Sequence, residues 1–321
     1  MDRSNEFDLL LKLHRATLSP KERNRKIITP FFLYPLATEK LYAEQISSFM
    51  RKFILVMKEK LEGRVKKWIS PSKMDAFSDD FSAFKKEMEE ELVSLYIATY
   101  GLGSPSYELL VSIAEKVYGN AYRQWKKQLK PTLGFEWAMG YEGWDELKKT
   151  WIINNQTLME KQGKDFLSSI EALIITALQS LWSYSDLMES VNKAADKYTG
   201  YKAGFLARNE VAILNTLIMQ GAYLEAGMPY YFWHTAMDER VRGNPGGIYP
   251  KAIPSHWEME GLLMNWNNPT VYSDDLGKTW KKKTGIMEFL HVGLAPGCRC
   301  VPQPFLNDKL AKVDSNIGGL L

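Results

Sequence analysis

The chain has 321 residues, which is long enough to bury a large core and to form two domains. Its contents of 45% hydrophobic and 25% charged residues are ordinary for a globular protein, and a net charge of +3 does not by itself indicate a nucleic-acid partner. Two cysteines exclude a disulfide framework. We expect a soluble protein, because the N-terminus is polar and the most apolar run, 166–182, is short for a membrane span and is interrupted by Glu171 and Gln179.

Residues 1–35 are predicted to form an N-terminal arm. A basic cluster at 19–26 is followed by Thr-Pro-Phe-Phe-Leu-Tyr-Pro at 29–35, and two prolines around an apolar patch disfavour a helix. Two interpretations are open at this point. The arm is either a charged turn with a strand that packs on the core, or a peg that inserts into a partner.

The stretch from 36 to 199 is predicted to be a helical region, because large apolar residues recur at spacings of three and four. Ser70-Pro71-Ser72 interrupts this periodicity, and Ser104-Pro105 is a typical helix start. The predicted helices cover 38 to Gly63 or Trp68, 77–100, 105–129, and two stretches of 144–190 with a break at Gly163, whereas 131–143 is predicted as a loop or a short strand pair. We place a domain boundary in the polar stretch 190–200.

A second domain is predicted over 200–304. It begins with one long helix over Tyr201–Ala226, which Gly227 and Pro229 end. The character of the sequence then changes. Residues 230–235 are aromatic and β-prone, 243–255 form a loop rich in glycine and proline, 270–273 and 278–280 predict a short hairpin, and 305–321 form a C-terminal tail.

The predicted fold class is therefore α+β. A mostly helical N-terminal region is followed by a smaller C-terminal domain, in which one long helix packs on a short β-rich unit.

The last third of the chain contains both cysteines and three of the four histidines. In an extended segment, Cys298 and Cys300 lie on one face, so both sulfurs could bind one ion. A tetrahedral zinc site needs two more donors, and His256 is the best candidate for the third. Buried reduced cysteines with hydrogen-bonded histidines, or a catalytic thiol, are the alternatives. The candidates for a fourth ligand are His291, His234 and Asp238.

Catalytic motifs are absent from the sequence. It has no phosphate-binding glycine loop, no His-Glu-x-x-His and no Gly-x-Ser-x-Gly. His256 with Glu258 and Glu260 could form an acid/base pair, but no hydrolase signature surrounds either cysteine. We therefore predict that the chain is not an enzyme.

Charged residues elsewhere have two interpretations each. Asp238 and Arg240 could pair and fix the following loop, or form a solvated ion pair of little energetic value. The basic clusters at 21–26, 64–67 and 281–283 could contact phosphate, although a solvated face is the simpler interpretation for such short clusters.

Taken together, several motifs of this last third resemble the Mu F-type minor head protein domain of tailed bacteriophages, the head morphogenesis family. The similar segments are Tyr-Phe-Trp-His-Thr-Ala-Met-Asp-Glu-Arg-Val-Arg (231–242), Ser255-His256, Glu260-Gly261 and Pro-Gly-Cys-Arg-Cys (296–300). The preceding helix is also similar, with Ala-Arg-Asn-Glu (207–210), Asn215, Tyr223 and Ala226-Gly227. The resemblance covers about 200–304, a third of the chain.

The resemblance implies a structural protein of the virion. Members of this family are minor capsid components that accompany the portal during procapsid assembly, and some of them are packaged and affect DNA packaging or ejection. The implied partners are the portal protein, capsid or scaffold subunits and DNA, with no membrane and no small-molecule substrate. The implied locations are the phage head and, during assembly, the host cytoplasm. The alternatives are an enzyme, such as a toxin or transferase, that carries this domain, and a DNA-binding head protein.

A metal site becomes more credible through the resemblance, because many relatives have a Cys-x-x-Cys pair as well as a histidine and Cys-x-Cys. This sequence keeps only His256, Cys298 and Cys300 of such a set, and it carries an insertion over Gly243–Ile253. We predict that this region forms a structural clasp, which draws 233–242, 255–261 and 296–300 together. The predicted clasp residues besides the metal ligands are Trp233, Asp238, Arg240, Arg242, Gly261 and Arg299.

Overall fold

The structure is a computed structural model that describes residues 3–19, 22, 32–68, 81–100 and 106–306. Helices dominate it, and a small five-stranded antiparallel sheet lies near the C-terminus, so the predicted α+β class is confirmed. The break predicted at Ser70–Ser72, the helix start predicted at Ser104-Pro105, most of the 19–26 cluster and nearly all of the 305–321 tail lie outside the described residues.

The helices follow the predicted apolar periodicity closely. Within the described ranges, none of them combines the length and the apolar character that crossing a bilayer requires. A π-helical turn at Tyr198–Lys202 joins the last two, so the chain stays helical through the polar stretch 190–200. The helices are α1 (Arg3–Ala16), α2 (Leu36–Trp68), α3 (Phe81–Tyr100), α4 (Tyr107–Leu133), α5 (Trp144–Gln179), α6 (Tyr184–Lys197) and α7 (Ala203–Glu225).

The break predicted at Gly163 is wrong, because α5 runs through this residue without interruption. Gly163 is buried, and a Cβ at this position would lie 3.2 Å from the ring of Tyr96 and 3.6 Å from that of Phe53. The glycine therefore permits close packing of neighbouring helices, and the helix tolerates its lower propensity.

The chain forms two compact units, each drawn from separate segments. One comprises Ala37–Ile113 and Lys148–Ala207, and it contains α2, α3, α5 and α6. In its core, the Tyr42 hydroxyl donates to Asn155 Oδ1 at 2.7 Å. The predicted domains 36–199 and 200–304 follow the order of the sequence and stay a prediction.

The other unit comprises Met1–Leu36, Ala114–Leu147 and Arg208–Leu321. A series of aromatic contacts runs through it, with ring centroids 4.8 Å apart for Phe7 and Trp137 and 5.6 Å apart for Trp125 and Tyr223. Helix α1 of the predicted arm packs in this way within its own unit. The segment 32–35 also packs on this unit, because Leu33 N donates to Gln124 Oε1 at 3.3 Å and the Tyr34 hydroxyl donates to the Arg208 carbonyl at 3.3 Å.

The sheet of this second unit has the order β4-β3-β2-β1-β5. The predicted 230–235 strand is the second from one edge, and the predicted hairpin forms between β3 and β4, although β4 begins at Lys281 and not at 278. The sequence patterns missed β2 and β5, which are too short for a visible alternation. The strands are β1 (Tyr230–His234), β2 (Leu263–Asn265), β3 (Asn268–Ser273), β4 (Lys281–Lys282) and β5 (Val301–Pro304).

Two prolines shape the edge strand β5. Pro302 pairs with Trp233 and Pro304 pairs with Tyr231, while Phe305 N donates to the Tyr230 carbonyl. Because alternate residues of a strand point their main-chain groups to opposite sides, the proline nitrogens face away from β1. Proline has no N–H, so neither position offers a main-chain donor at the outer edge.

Helix α7 packs on the β-rich unit as predicted. The Thr216 hydroxyl donates to the Val292 carbonyl at 2.9 Å, and Gln220 Nε2 contacts the Trp266 carbonyl at 3.5 Å. Thr216 lies inside the helix and is almost fully buried, so its hydroxyl needs this partner. The helix thereby fixes the loop that leads to the cysteines.

The start of α6 offers a test of local stability. Ser183 and Asp186 form a reciprocal capping box, in which each side chain accepts from the other residue's main-chain N–H. We expect Ser183→Ala to lower the free energy of unfolding by about 1 kcal/mol, because a helix N–H loses its acceptor. Urea denaturation measures this change. The control Ser190→Ala lies inside the same helix, where alanine has the higher propensity, and should not destabilise. Equal stability of Ser183→Ala and wild type would contradict the capping role.

Candidate metal centre

Three metal-ligating side chains meet in the C-terminal part of the chain. His256 Nδ1 lies 3.5 Å from Cys298 Sγ and 3.5 Å from Cys300 Sγ, and the three donor atoms lie within 4.8 Å of one another. All three residues are buried, with exposed fractions of 2%, 4% and 5%. The structure therefore contains a buried His/Cys/Cys group that could bind a metal ion.

Main-chain hydrogen bonds position His256. Its N–H and that of Trp257 both donate to the Arg242 carbonyl at 3.0 Å, at the start of a short 3-10 turn (Trp257–Met259). The preceding Ser255 N donates to the Ile286 carbonyl at 2.7 Å. Trp233 packs its indole edge-to-face against the imidazole, with ring centroids 5.4 Å apart. The ring is thus held from the 233–242 segment and from the 286–288 loop.

Gly243 allows the neighbouring loop to approach this histidine. It has a φ of +78°, and a Cβ at this position would collide with the Ser255 hydroxyl. Only glycine adopts this conformation without strain and leaves room for Ser255. The inserted loop that begins here can therefore pack directly beside the residue that precedes the ligand.

A turn brings the two sulfurs together. Gly297, with a φ of +74°, donates its N–H to Asn209 Oδ1 of α7 at 2.6 Å. Cys298 N donates to the Ala295 carbonyl at 3.0 Å, and Cys300 N donates to Cys298 Sγ at 3.3 Å. The cysteines immediately precede β5 and belong to no strand, and the bond from Cys300 N to Cys298 Sγ draws them together.

The pKa values of the three side chains in the cluster are shifted in different directions. Burial alone would lower the pKa of His256, but the Cys298 sulfur and the Glu288 carboxylate raise that pKa to about 9. Burial opposes ionisation of Cys298, but hydrogen bonds from Cys300 and His256 shift its pKa well below the ordinary value. Burial and the neighbouring Cys298 charge raise the pKa of Cys300. These shifts favour a negative charge on Cys298 and a proton on His256, and they disfavour ionisation of Cys300.

Each candidate for the fourth ligand has other partners. His234 Nδ1 lies 2.6 Å from Glu260 Oε1, and its Nε2 contacts Gln303. His291 Nδ1 lies 3.2 Å from the Tyr231 hydroxyl, and the Asp238 carboxylate accepts from Arg240 at 2.8 Å. Within the described ranges, none of the three belongs to the cluster, so a fourth protein ligand stays a prediction.

Three predicted clasp residues lie beside the cluster. The Arg242 carbonyl accepts from the N–H groups of residues 256 and 257, and the Arg242 guanidinium donates to the Pro296 carbonyl. Arg242 therefore links three segments. Gly261 N donates to the Trp233 carbonyl at 2.8 Å, and the positive φ of Gly261, +73°, favours glycine there. These contacts join the segments 233–242, 255–261 and 296–300, which are the three segments of the predicted clasp.

The other three predicted clasp residues lie at a separate cleft of about 550 Å3. Arg240 donates to Asp238 through Nε and Nη2, and both side chains are partly exposed, so the pair adds little stability. Arg299 also lines the cleft, along with Glu260. Glu260 is engaged by His234 and by Thr235 N at 2.6 Å, and Glu258 is exposed, so neither carboxylate pairs with His256.

Glu288 and Lys283 contribute to the site but were missed in the sequence. Glu288 Oε2 lies 3.5 Å from His256 Nε2, and the Lys283 ammonium donates to the Glu288 carbonyl at 2.7 Å. Lys283 also lies over the Trp233 ring at 5.6 Å, and burial lowers its pKa to about 8. The signal for Glu288 was its position between Met287 and Phe289, since a carboxylate among large apolar residues often has a specific partner.

No family model matches this chain, and no solved structure matches it with significance. A stretch of 160 residues, 49% of the chain, is 26% identical to an uncharacterized protein of Haemophilus influenzae strain Rd. The matched stretch covers 30% of that relative's length. The similarity assigns no activity to either protein.

Proposed function

We propose that this chain is a minor head protein of a tailed bacteriophage, which associates with the portal during procapsid assembly. We further propose that a structural zinc ion stabilises its C-terminal module, the predicted domain 200–304. The observation that carries the proposal is the convergence of residues that carry the family resemblance. Trp233 packs on the His256 ring, and the Arg242 carbonyl accepts from His256 N. The Arg242 guanidinium donates to the Pro296 carbonyl, and Gly261 N donates to the Trp233 carbonyl. Three of the six predicted clasp residues thus lie beside the cluster, whereas Asp238, Arg240 and Arg299 lie at the separate cleft.

Zinc is the ion that fits these donors best. Two thiolates and an imidazole suit a borderline-soft ion, and zinc bond lengths in a tetrahedron place nitrogen and sulfur about 3.6 Å apart. The observed distance is 3.5 Å to both sulfurs. A metal ion between the three atoms would bind the lone pairs of both sulfurs and of Nδ1, and so would satisfy all three donors.

A structural ion suits this location better than a catalytic one. The three donors are at least 95% buried, and their main-chain neighbours are hydrogen-bonded on every segment that reaches the cluster. A catalytic zinc keeps a position open to substrate. The burial therefore supports the predicted non-enzymatic role.

An exposed apolar patch beside the centre supports docking to another protein. Ser255 N bonds to the Ile286 carbonyl, so the inserted loop and the 286–290 loop lie side by side. Together they carry six large apolar residues that are between 45% and 70% exposed, and clusters of this kind mark interaction surfaces. They are Ile248, Tyr249, Ile253, Ile286, Phe289 and Leu290.

Co-expression with the portal protein of the same phage tests this function. We expect the chain to co-purify with portal oligomers, and we expect Ile253→Asp combined with Phe289→Asp to reduce the recovered chain at least about tenfold, because charges would be buried at the interface. The control Ile153→Asp changes an equally exposed residue of α5 and should leave recovery unchanged. A chain that ignores portal and binds duplex DNA with a steep salt dependence would overturn the proposal in favour of a DNA-binding head protein.

A further inference from the structure

We infer that Glu288 is a positioning residue of the metal centre, which holds the N–H of His256 on Nε2 and so presents the Nδ1 lone pair to the ion. This inference rests on the proposed metal binding and goes beyond it, because it assigns the ligand atom and a residue outside the ligand set. Nothing in the ligand spacing indicated Glu288.

The two ring nitrogens of His256 face different chemistry. Nδ1 faces both sulfurs, and Nε2 faces Glu288 Oε2 at 3.5 Å, which is a long contact between a donor and a carboxylate. A neutral imidazole carries one N–H, and the partner of that N–H decides which nitrogen is free for a metal. A carboxylate only accepts, so it selects the form with the proton on Nε2.

Glu288 is itself held in place. Its Oε1 accepts from Leu290 N at 3.0 Å, its own N–H contacts Met259 Sδ at 3.3 Å, and its carbonyl accepts from Lys283 Nζ at 2.7 Å. The residue is 7% exposed. The carboxylate therefore has a fixed orientation, with one oxygen committed to the loop and the other turned to the imidazole.

This arrangement makes Glu288→Gln a sharp test. Leu290 N–H requires an acceptor, so the amide oxygen of glutamine should occupy the Oε1 position. The amide NH2 would then face Nε2 of His256 and donate to it. The proton of a neutral His256 would move to Nδ1, where it blocks the metal.

Zinc affinity is measured on the full-length chain by competition with a chromogenic chelator. We expect Glu288→Gln to bind zinc about 10- to 100-fold more weakly than wild type. The control Glu258→Gln makes the same change on an exposed carboxylate two residues from the ligand, and it should bind as wild type does. Glu288→Asp keeps a carboxylate and should lose less affinity than Glu288→Gln.

A second readout does not depend on the fold of any variant. Nitrogen-15 NMR of the zinc-loaded wild type should show His256 bound through Nδ1 with its proton on Nε2. Binding through Nε2, or equal zinc affinity of Glu288→Gln and wild type, would overturn the role of Glu288 alone. A wild type that binds no zinc would overturn the proposed metal site and this inference with it.

Discussion

Replacing Cys298 and Cys300 together by serine is expected to abolish zinc binding and to destabilise the C-terminal module by more than about 4 kcal/mol. Serine hydroxyls are poor ligands for zinc, and the ion joins segments that are distant in sequence. Binding of an ion only to the folded chain is itself folding free energy, so its loss lowers the stability directly. The same variant should assemble defective heads.

Metal analysis and thermal denaturation check this result. Wild type should retain about one zinc ion per chain, and less than about 0.2 per chain in a folded, chelator-free preparation would contradict zinc binding. Metal-free wild type is the matched control, because it keeps both thiols. If it is as unstable as the double variant, the ion provides the stability; if it is as stable as zinc-loaded wild type, thiol packing does. Normal stability and normal heads in the double variant would refute the clasp.

The apparent zinc affinity is expected to rise about 100-fold per pH unit between pH 7 and 8.5. In the metal-free protein, the pKa of His256 is raised to about 9 and that of Cys300 is also raised, whereas that of Cys298 is lowered, which favours its thiolate. Zinc must therefore displace one proton from His256 and one from Cys300. Because protons compete with the ion below these pKa values, the affinity increases with pH and the histidine contribution levels off above about 9.

Calorimetry in buffers with different ionisation enthalpies counts the released protons. Two protons per zinc at pH 7.5 would agree with the pKa directions of all three ligands. Release of a single proton would show that only one of the three side chains carries a displaceable proton in the metal-free site, contrary to these pKa directions. The control is Glu258→Gln, in which the exposed carboxylate should leave the proton count unchanged.

The grouping of His256, Cys298 and Cys300 could be predicted from sequence because its residue types are scarce. The chain has only two cysteines and four histidines, so their gathering in the last third was informative. Glu288 and Lys283 belong to the most common residue types, and only the tertiary fold buries them. The basic cluster 281–283 shows that sequence does not reveal which lysine is buried. Lys281 and Lys282 are exposed, whereas Lys283 is buried and lies over the Trp233 ring.

The helices were predictable because amphipathic periodicity extends over several turns, whereas β2 contains only three residues. Gly163 was misinterpreted because a glycine in a helix signals a break in isolation but close packing in context. The fourth ligand could not be chosen from the sequence. Side chains that contact His234 and His291, such as those of Gln303 and Tyr231, lie far from them along the chain.

The prolines of β5 have a consequence for assembly. Proteins that gather in many copies risk joining their sheets edge to edge into fibres. Here the outer edge of β5 has no donor at Pro302 and Pro304, and at the opposite edge the strand β4 has only two residues, both exposed lysines. In the part of the chain that the structure describes, neither edge is a template for another strand. At high local concentration, this protein should therefore favour reversible side-chain contacts over irreversible polymerisation.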